Sequence, residues 1–154
     1  MKGKPEDGLL ISPIRNGTVI DHIAAGEGLP VLRILGITGR TTEELSVATN
    51  VESRQMGKKD IVKIENRELV KEEVDRISLI APKASINIIR EYRVVQKIGV
   101  EIPSEVVGVI RCPNPACISN ANEPIRSLFA CQRRGYRCRY CDTMITRDVG
   151  SYIV

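Results

Sequence analysis

Along the first hundred residues the spacing of apolar positions alternates between a strand-like and a helix-like period. After Gly17, TVIDHI (Thr18 to Ile23) sets Val19, Asp21 and Ile23 against Thr18, Ile20 and His22. Neither set is purely apolar, but the β-branched richness predicts a strand. In GEGLPVLRILGI, Pro30 suits a first helical position, and Leu32, Leu35 and Gly36 predict a short helix. ELSVATNV (44–51) and KKDIVKIEN (58–66) predict two strands around a polar turn. In the second, Ile61 and Lys63 take one face and Val62 and Ile64 the other, because side chains alternate. From Leu69 to Ile80 the period lengthens: Val70, Val74, Ile77 and Ile80 form one stripe, with Lys71, Glu72, Glu73, Asp75 and Arg76 opposite. That is a helix, and Pro82 stops it. ASINII and EYRVVQKI predict two further strands, joined near Arg90 and Glu91.

The order is β-α-β-β-α-β-β, which a split βαβ sheet with both helices on one face accommodates. The fold class expected is therefore α+β, with a ferredoxin-like N-terminal domain over residues 1–100. GVEIPSE (99–105) breaks the periodicity with Gly99 and Pro103 and marks the boundary. The remainder, 101–154, holds only short strand-like runs, VVGVIR, EPIRSLFA and TMITRDV, and is expected to be a small all-β domain. A unit so poor in apolar mass seldom folds unaided.

Composition and charge refine this picture. Aromatics are scarce, with four Tyr, one Phe and no Trp, so the core has to be aliphatic. No apolar run approaches the roughly 20 residues that span a bilayer, so no membrane role is expected. MKGKPEDGLLISPIRNG at the N-terminus lacks the apolar stretch and small-residue cleavage site of a secretory signal, so a reducing cytoplasm is the expected location. Net charge is +4, shared equally between the two parts at +2 each. Such a balance offers no duplex-binding surface but permits a local pocket for a small polyanion.

Four of the five cysteines form two close pairs: Cys112 with Cys117 (CxxxxC) and Cys138 with Cys141 (CxxC). Short knuckles place two sulfurs on one side of a tetrahedral ion, so these four residues are the expected ligands of one Zn²⁺. Pro113 and Pro115 stiffen the first knuckle. Disulfides are disfavoured without a secretory route. Rubredoxin-like iron accepts the same ligands, but its usual frame is two CxxC knuckles. Four thiolates close the shell, leaving no position for water or substrate, so the ion is structural. Counting it with its thiolates makes the C-terminal part neutral. Cys131, the odd cysteine, reads as a small buried or half-buried residue near a strand end.

No catalytic residue is assigned. His22 is the single histidine, and GxSxG, GxxxxGK[ST] and a helix-opening GxGxxG are all absent. Lys59, Lys63 and Lys97 on a small sheet, near Asp21 and His22, form a candidate receptor for a triphosphate. From the residues alone an ordinary strand histidine among solvated lysines stays open as well. Alternation sets Asp21 and His22 on opposite faces, so they share a ligand only near a strand end or edge. Arg133, Arg134, Arg137 and Arg139 around the second knuckle suggest nucleic acid, but the neutral C-terminal part argues for a solvated hairpin or a rim meeting an acidic protein surface.

RNGTVIDHI (15–23), MGKKDIVKIEN (56–66), LIAPKASINIIREYRVVQK (79–97) and CPNPACIS…CRYC (112–141) together resemble the regulatory chain of aspartate carbamoyltransferase. The resemblance implies an N-terminal allosteric domain that binds CTP and ATP, with UTP a further candidate. It also implies a C-terminal zinc domain that contacts the catalytic chain. Regulatory chains of this family pair through the allosteric domain. By position, the resemblance places Asp21 and Lys63 at the ribose, and His22, Asn87 and Lys97 near the phosphates with Lys59 close by. Base recognition falls to backbone groups around Ile14, Ile89 and Tyr92, with Ile61 and Val94 lining the pocket.

Overall fold

The computed structural model describes residues 13–122 and 124–154. The first twelve residues of the expected N-terminal domain, and Glu123 within the EPIRSLFA run, lie outside the described residues. The chain divides into two compact units, one through Val100 and one from Glu101.

The N-terminal unit runs β1 (Gly17–Ala24), α1 (Gly28–Ile34), β2 (Leu45–Ser53), β3 (Gly57–Glu65), α2 (Lys71–Ile80), β4 (Ser85–Arg90) and β5 (Arg93–Gly99). All neighbouring strands are antiparallel, in the order β2-β3-β1-β4-β5. This is the expected split βαβ arrangement, with β5 added at one edge. One sheet face carries Ile20, Ile23, Val62, Ile64, Ile86 and Ile88, which pack with Val31 and Leu32 of α1 and Ile77 of α2 into a single core. Each such side chain contributes roughly 1.5–3 kcal/mol on burial. Packing, not propensity, holds α1: seven residues with no cap from the side chain of Glu27 cannot stand alone. In α2, the Glu73 carboxylate reaches back to accept from the Val70 N–H, 3.1 Å away, and so satisfies one of the helix's open donors.

Pro30 is the third residue of α1 rather than the first. The shift is tolerated because the N–H groups of the first helical turn have no intrahelical acceptor to lose. What starts the helix is Asp60, which has no solvent exposure. Its Oδ2 accepts from the N–H of Gly26 (3.0 Å) and Gly28 (2.8 Å), and its Oδ1 from that of Asn50 (2.9 Å). A Cβ at position 28 would sit 2.9 Å from Oδ2, so only glycine allows this approach.

The C-terminal unit is a four-stranded antiparallel sheet: β6 (Glu105–Val107), β7 (Leu128–Gln132), β8 (Gly135–Cys138) and β9 (Met144–Ile145) in sequential order. Its buried large side chains are Val106, Ile110, Phe129 and Ile145. The expected runs are cut short. VVGVIR breaks at Gly108, whose φ of +69° turns the chain, and Ile110 then bridges to Ile153. TMITRDV keeps only Met144 and Ile145 as strand, because Asp148 turns left-handed (φ 53°) into a 3-10 turn at Val149–Tyr152. No helix among the described residues is long and apolar enough to cross a membrane.

Candidate functional site

Register brings distant polar residues into one line on the sheet face away from the helices. Lys63 lies opposite Val19, Val19 opposite Asn87, and Asn87 opposite Lys97. Directly opposed residues share a face, so Lys63, Asn87 and Lys97 stand in one row over β3, β1, β4 and β5, about 14 Å from end to end. The Asn87 amide donates to the Val19 carbonyl at 3.3 Å. Lys63 is half-buried, and burial holds its ammonium below the ordinary lysine range. A polyanion on this face would relieve that cost.

The next row contains Asp21, opposite Ser85. Here strict alternation fails. Ile20 pairs with Val62 and Ile23 with Asp60, so Asp21 and His22 together oppose Ile61 in a bulge. His22 has a φ of 59°, and both Ile20 and Ile23 point into the core. The two polar residues are therefore not split cleanly between faces as alternation predicts: Asp21 Oδ1 accepts from the His22 N–H at 2.6 Å. The same oxygen takes the Lys59 ammonium at 2.9 Å. His22 Nδ1 lies 3.3 Å from Ser85 Oγ. Lys59 thus neutralises Asp21, and the row supplies the other two cations. Ile61, two residues from Lys63, shares its face.

In the opposite direction along β1 the face turns apolar. Gly17 opposes Ile89, which pairs with Val94 on the far side. Ile14 and Ile89 are buried, whereas Val94 and Tyr92 are exposed. Tyr92 is not in a strand, as EYRVVQKI predicts; it shares with Glu91 the two-residue turn between Arg90 and Arg93. Both turn residues have positive φ (50° and 65°), the geometry that joins twisted strands most tightly. The Tyr92 N–H donates to the Arg15 carbonyl at 2.9 Å.

In the C-terminal unit the four paired cysteines converge, all ligand atoms lying within 4.8 Å of one another. Two approaches of 3.6 Å join the two knuckles: Cys112 Sγ to Cys141 Sγ, and Cys117 Sγ to Cys138 Sγ. A disulfide requires about 2.05 Å, whereas thiolates at about 2.3 Å from a tetrahedral ion lie about 3.8 Å apart. The spacing therefore fits a metal. The first knuckle is pinned by the Asn120 amide, which donates to the carbonyls of Cys112 (2.9 Å) and Asn114 (2.7 Å). The second closes through Asp142 N–H to Cys138 carbonyl, 2.9 Å. Hydroxyls of Ser119 and Thr143 sit 3.2 and 3.1 Å from the Cys117 and Cys141 sulfurs. In the thiol form, burial pushes Cys112 up to about 12, and the Thr143 hydroxyl draws Cys141 down to about 6. A bound cation deprotonates all such ligands and cross-links the knuckles. Cys131 lies outside the cluster, half-buried near the end of β7, its thiol pushed up by burial. Arg133, Arg134, Arg137 and Arg139 are exposed, and Arg139 meets Glu105 at 3.3 Å.

Sequence reasoning missed Asp60 and Ser85. The signal for Asp60 was present, since period-two alternation sets it on the core face with Val62 and Ile64. Ser85 carried none, because its role follows from its register with Asp21.

Comparison with known proteins joins the two units. Residues 9–101 match the family described as aspartate carbamoyltransferase regulatory chain, allosteric domain. Residues 104–150 match the metal binding domain of the same chain. A protein from Methanosphaerula palustris is 71% identical over 148 residues, covering 96% of each chain. One from Methanoculleus marisnigri is 65% identical over 97% of each. One from Haloarcula marismortui is 56% identical over 95% of this chain and 94% of its own. All three bear the name aspartate carbamoyltransferase regulatory chain. With both domain types in sequence and full-length relatives of this identity, the chain belongs to the family of aspartate carbamoyltransferase regulatory chains, the regulatory and not the catalytic partners of that enzyme.

Proposed function

We propose that the N-terminal unit, residues 1–100, is a receptor for CTP and ATP, with UTP a further effector, and that occupancy there controls a catalytic chain held by residues 101–154. The observation that carries the reading is the row Lys63, Asn87 and Lys97, next to the Asp21, His22 and Lys59 cluster. Two cations and an amide suit the phosphates and ribose of a nucleotide, and the apolar end at Ile14, Ile89 and Val94 suits its base. Backbone groups around Ile14, Ile89 and Tyr92, apart from the Tyr92 N–H that the Arg15 carbonyl already takes, distinguish an amino edge from a keto edge. Ile61, opposite Asp21 and His22 in the second row, lines the pocket floor. The metal of the C-terminal unit is zinc, held by Cys112, Cys117, Cys138 and Cys141, and it folds the surface offered to the catalytic chain. Two regulatory chains pair through their N-terminal units. Free thiolate ligands call for a reducing compartment, so the complex works in the cytoplasm.

Calorimetric titration of CTP into the whole chain tests the nucleotide site. Lys63→Ala and Lys97→Ala should each weaken binding about ten- to a hundredfold, the loss of one charge-assisted hydrogen bond of roughly 1.5–3 kcal/mol. Lys83→Ala, an exposed residue between α2 and β4, should bind like the parent. Equal affinity in all four proteins would overturn the assignment.

A further inference from the structure

The turn at Glu91 and Tyr92 is made of the wrong residues for its shape. A two-residue turn with both φ positive favours Asn-Gly, because a Cβ crowds the following carbonyl in the left-handed region. Here neither residue is glycine. The turn persists because the segment before β1 grips it at four points. Arg15 forks onto the Glu91 carboxylate, Nε to Oε2 at 3.0 Å and Nη2 to Oε1 at 3.1 Å. The Arg15 carbonyl accepts from the Tyr92 N–H at 2.9 Å, and Asn16 Oδ1 accepts from the Glu91 N–H at 3.2 Å. On its other side Asn16 is tied to the end of β3, its carbonyl accepting from the Asn66 N–H at 2.8 Å. Asn66 is itself left-handed, at φ 60°. Arg15 and Asn16 therefore span from β3 to the β4–β5 turn, between Ile14 and Gly17.

We infer that Arg15 and Glu91 are positioning residues for the base end of the nucleotide site: their ion pair holds Ile14 and Tyr92 in the conformation that a base reads. The inference rests on the proposed nucleotide site. It goes beyond that site because neither residue belongs to the row Lys63, Asn87 and Lys97 or to the Asp21, His22 and Lys59 cluster. Both are largely solvent-exposed, at 57% and 67%, so the pair is soft and screened by salt. It sets a conformation that the turn residues do not prefer, and it is the part of the clamp that a substitution can remove without touching the backbone bonds.

The test is calorimetry on the whole chain with two probes, CTP and inorganic tripolyphosphate, because the second lacks a base. Arg15→Gln and Glu91→Gln should each weaken CTP roughly two- to fivefold, the range of an exposed ion pair, and leave tripolyphosphate unchanged. The exchanged pair, Arg15→Glu with Glu91→Arg, should restore CTP affinity. Glu68→Gln, which removes the neighbouring exposed fork from Arg90 (2.8 Å twice), should change neither probe. If the parent binds CTP and both single variants match it, the inference falls and the nucleotide site stands. Equal weakening of both probes, or failure of the exchanged pair to restore CTP, also overturns it. A parent that binds neither probe overturns the nucleotide site and the inference together.

Discussion

Cys138→Ser should unfold the C-terminal unit and leave the N-terminal sheet standing. Cys138 has no solvent exposure and its sulfur lies 3.6 Å from that of Cys117, so a serine there leaves three thiolates around the ion and a hard oxygen in place of the fourth. Structural zinc contributes on the order of 10–16 kcal/mol of folding free energy in small domains. The competing hydrophobic term is small. Val106, Ile110, Phe129 and Ile145 are the large buried side chains of this unit, worth together about 6–12 kcal/mol before chain entropy is charged against them. Loss of the metal thus removes as much as the whole apolar core supplies, and more than the net stability of most domains. Hydrogen exchange on the full chain resolves the outcome by segment. After chelation, or in the variant, amides of β7 and β8 should exchange at unprotected rates, while those of β1, β3 and β4 keep their protection. In mixtures with the catalytic chain the same treatment should release an enzyme insensitive to CTP and ATP. Persistent protection of β7 and β8 in protein shown to be metal-free would refute the reasoning.

Asp60→Asn places an amide NH₂ against backbone donors that now share a carboxylate, leaving either the Asn50 N–H or both the Gly26 and Gly28 N–H groups without an acceptor. Urea unfolding should show a loss of about 2–4 kcal/mol, and an unchanged midpoint would contradict the anchoring role. Lys63 should couple nucleotide binding to protons. Burial lowers its pKa from the ordinary 10.5, and a bound polyanion restores the charge. CTP binding should therefore take up protons in the alkaline window below 10.5, with affinity falling as pH rises through the lowered value. Without ligand the sign for stability is opposite: the unfolded chain keeps the proton longer, so the fold gains stability as pH rises through that window. Calorimetry in buffers of different ionisation enthalpy measures the uptake, and Lys63→Met should abolish it. Identical binding heats in all buffers would exclude this coupling.

The alternation of periods in the first hundred residues was enough to read the element order, because each element must bury a stripe of its own. Val62 and Ile64 against Ile61 and Lys63 is a local pattern, and the sheet kept it. The same holds for the cysteine knuckles, whose pairing follows from chain lengths of two and four residues between ligands. Local pattern failed where a partner strand decides the outcome. β8 has only Tyr136 and Cys138 as an apolar face, with Gly135 and Arg137 between, too short a pattern to read alone; it is a strand because β7 offers it a ladder.

What the sequence determined by itself is the set of chemical groups and the faces on which each short run presents them. What only the tertiary structure decided is which of those groups meet. Lys63, Asn87 and Lys97 stand in one row because of strand order and register, which depend on how the helices cover the opposite face. The bulge at Asp21 and His22 is likewise invisible locally. It exists because Ile20 and Ile23 both gain burial when one extra residue is inserted between them, and Asp60 takes up the backbone donors beyond it. Plain alternation would bury one of the two, so the bulge gains the second isoleucine, worth roughly 1.5–3 kcal/mol, against a left-handed backbone at His22 that costs roughly 1–2 kcal/mol. That balance can be struck only once the core has formed.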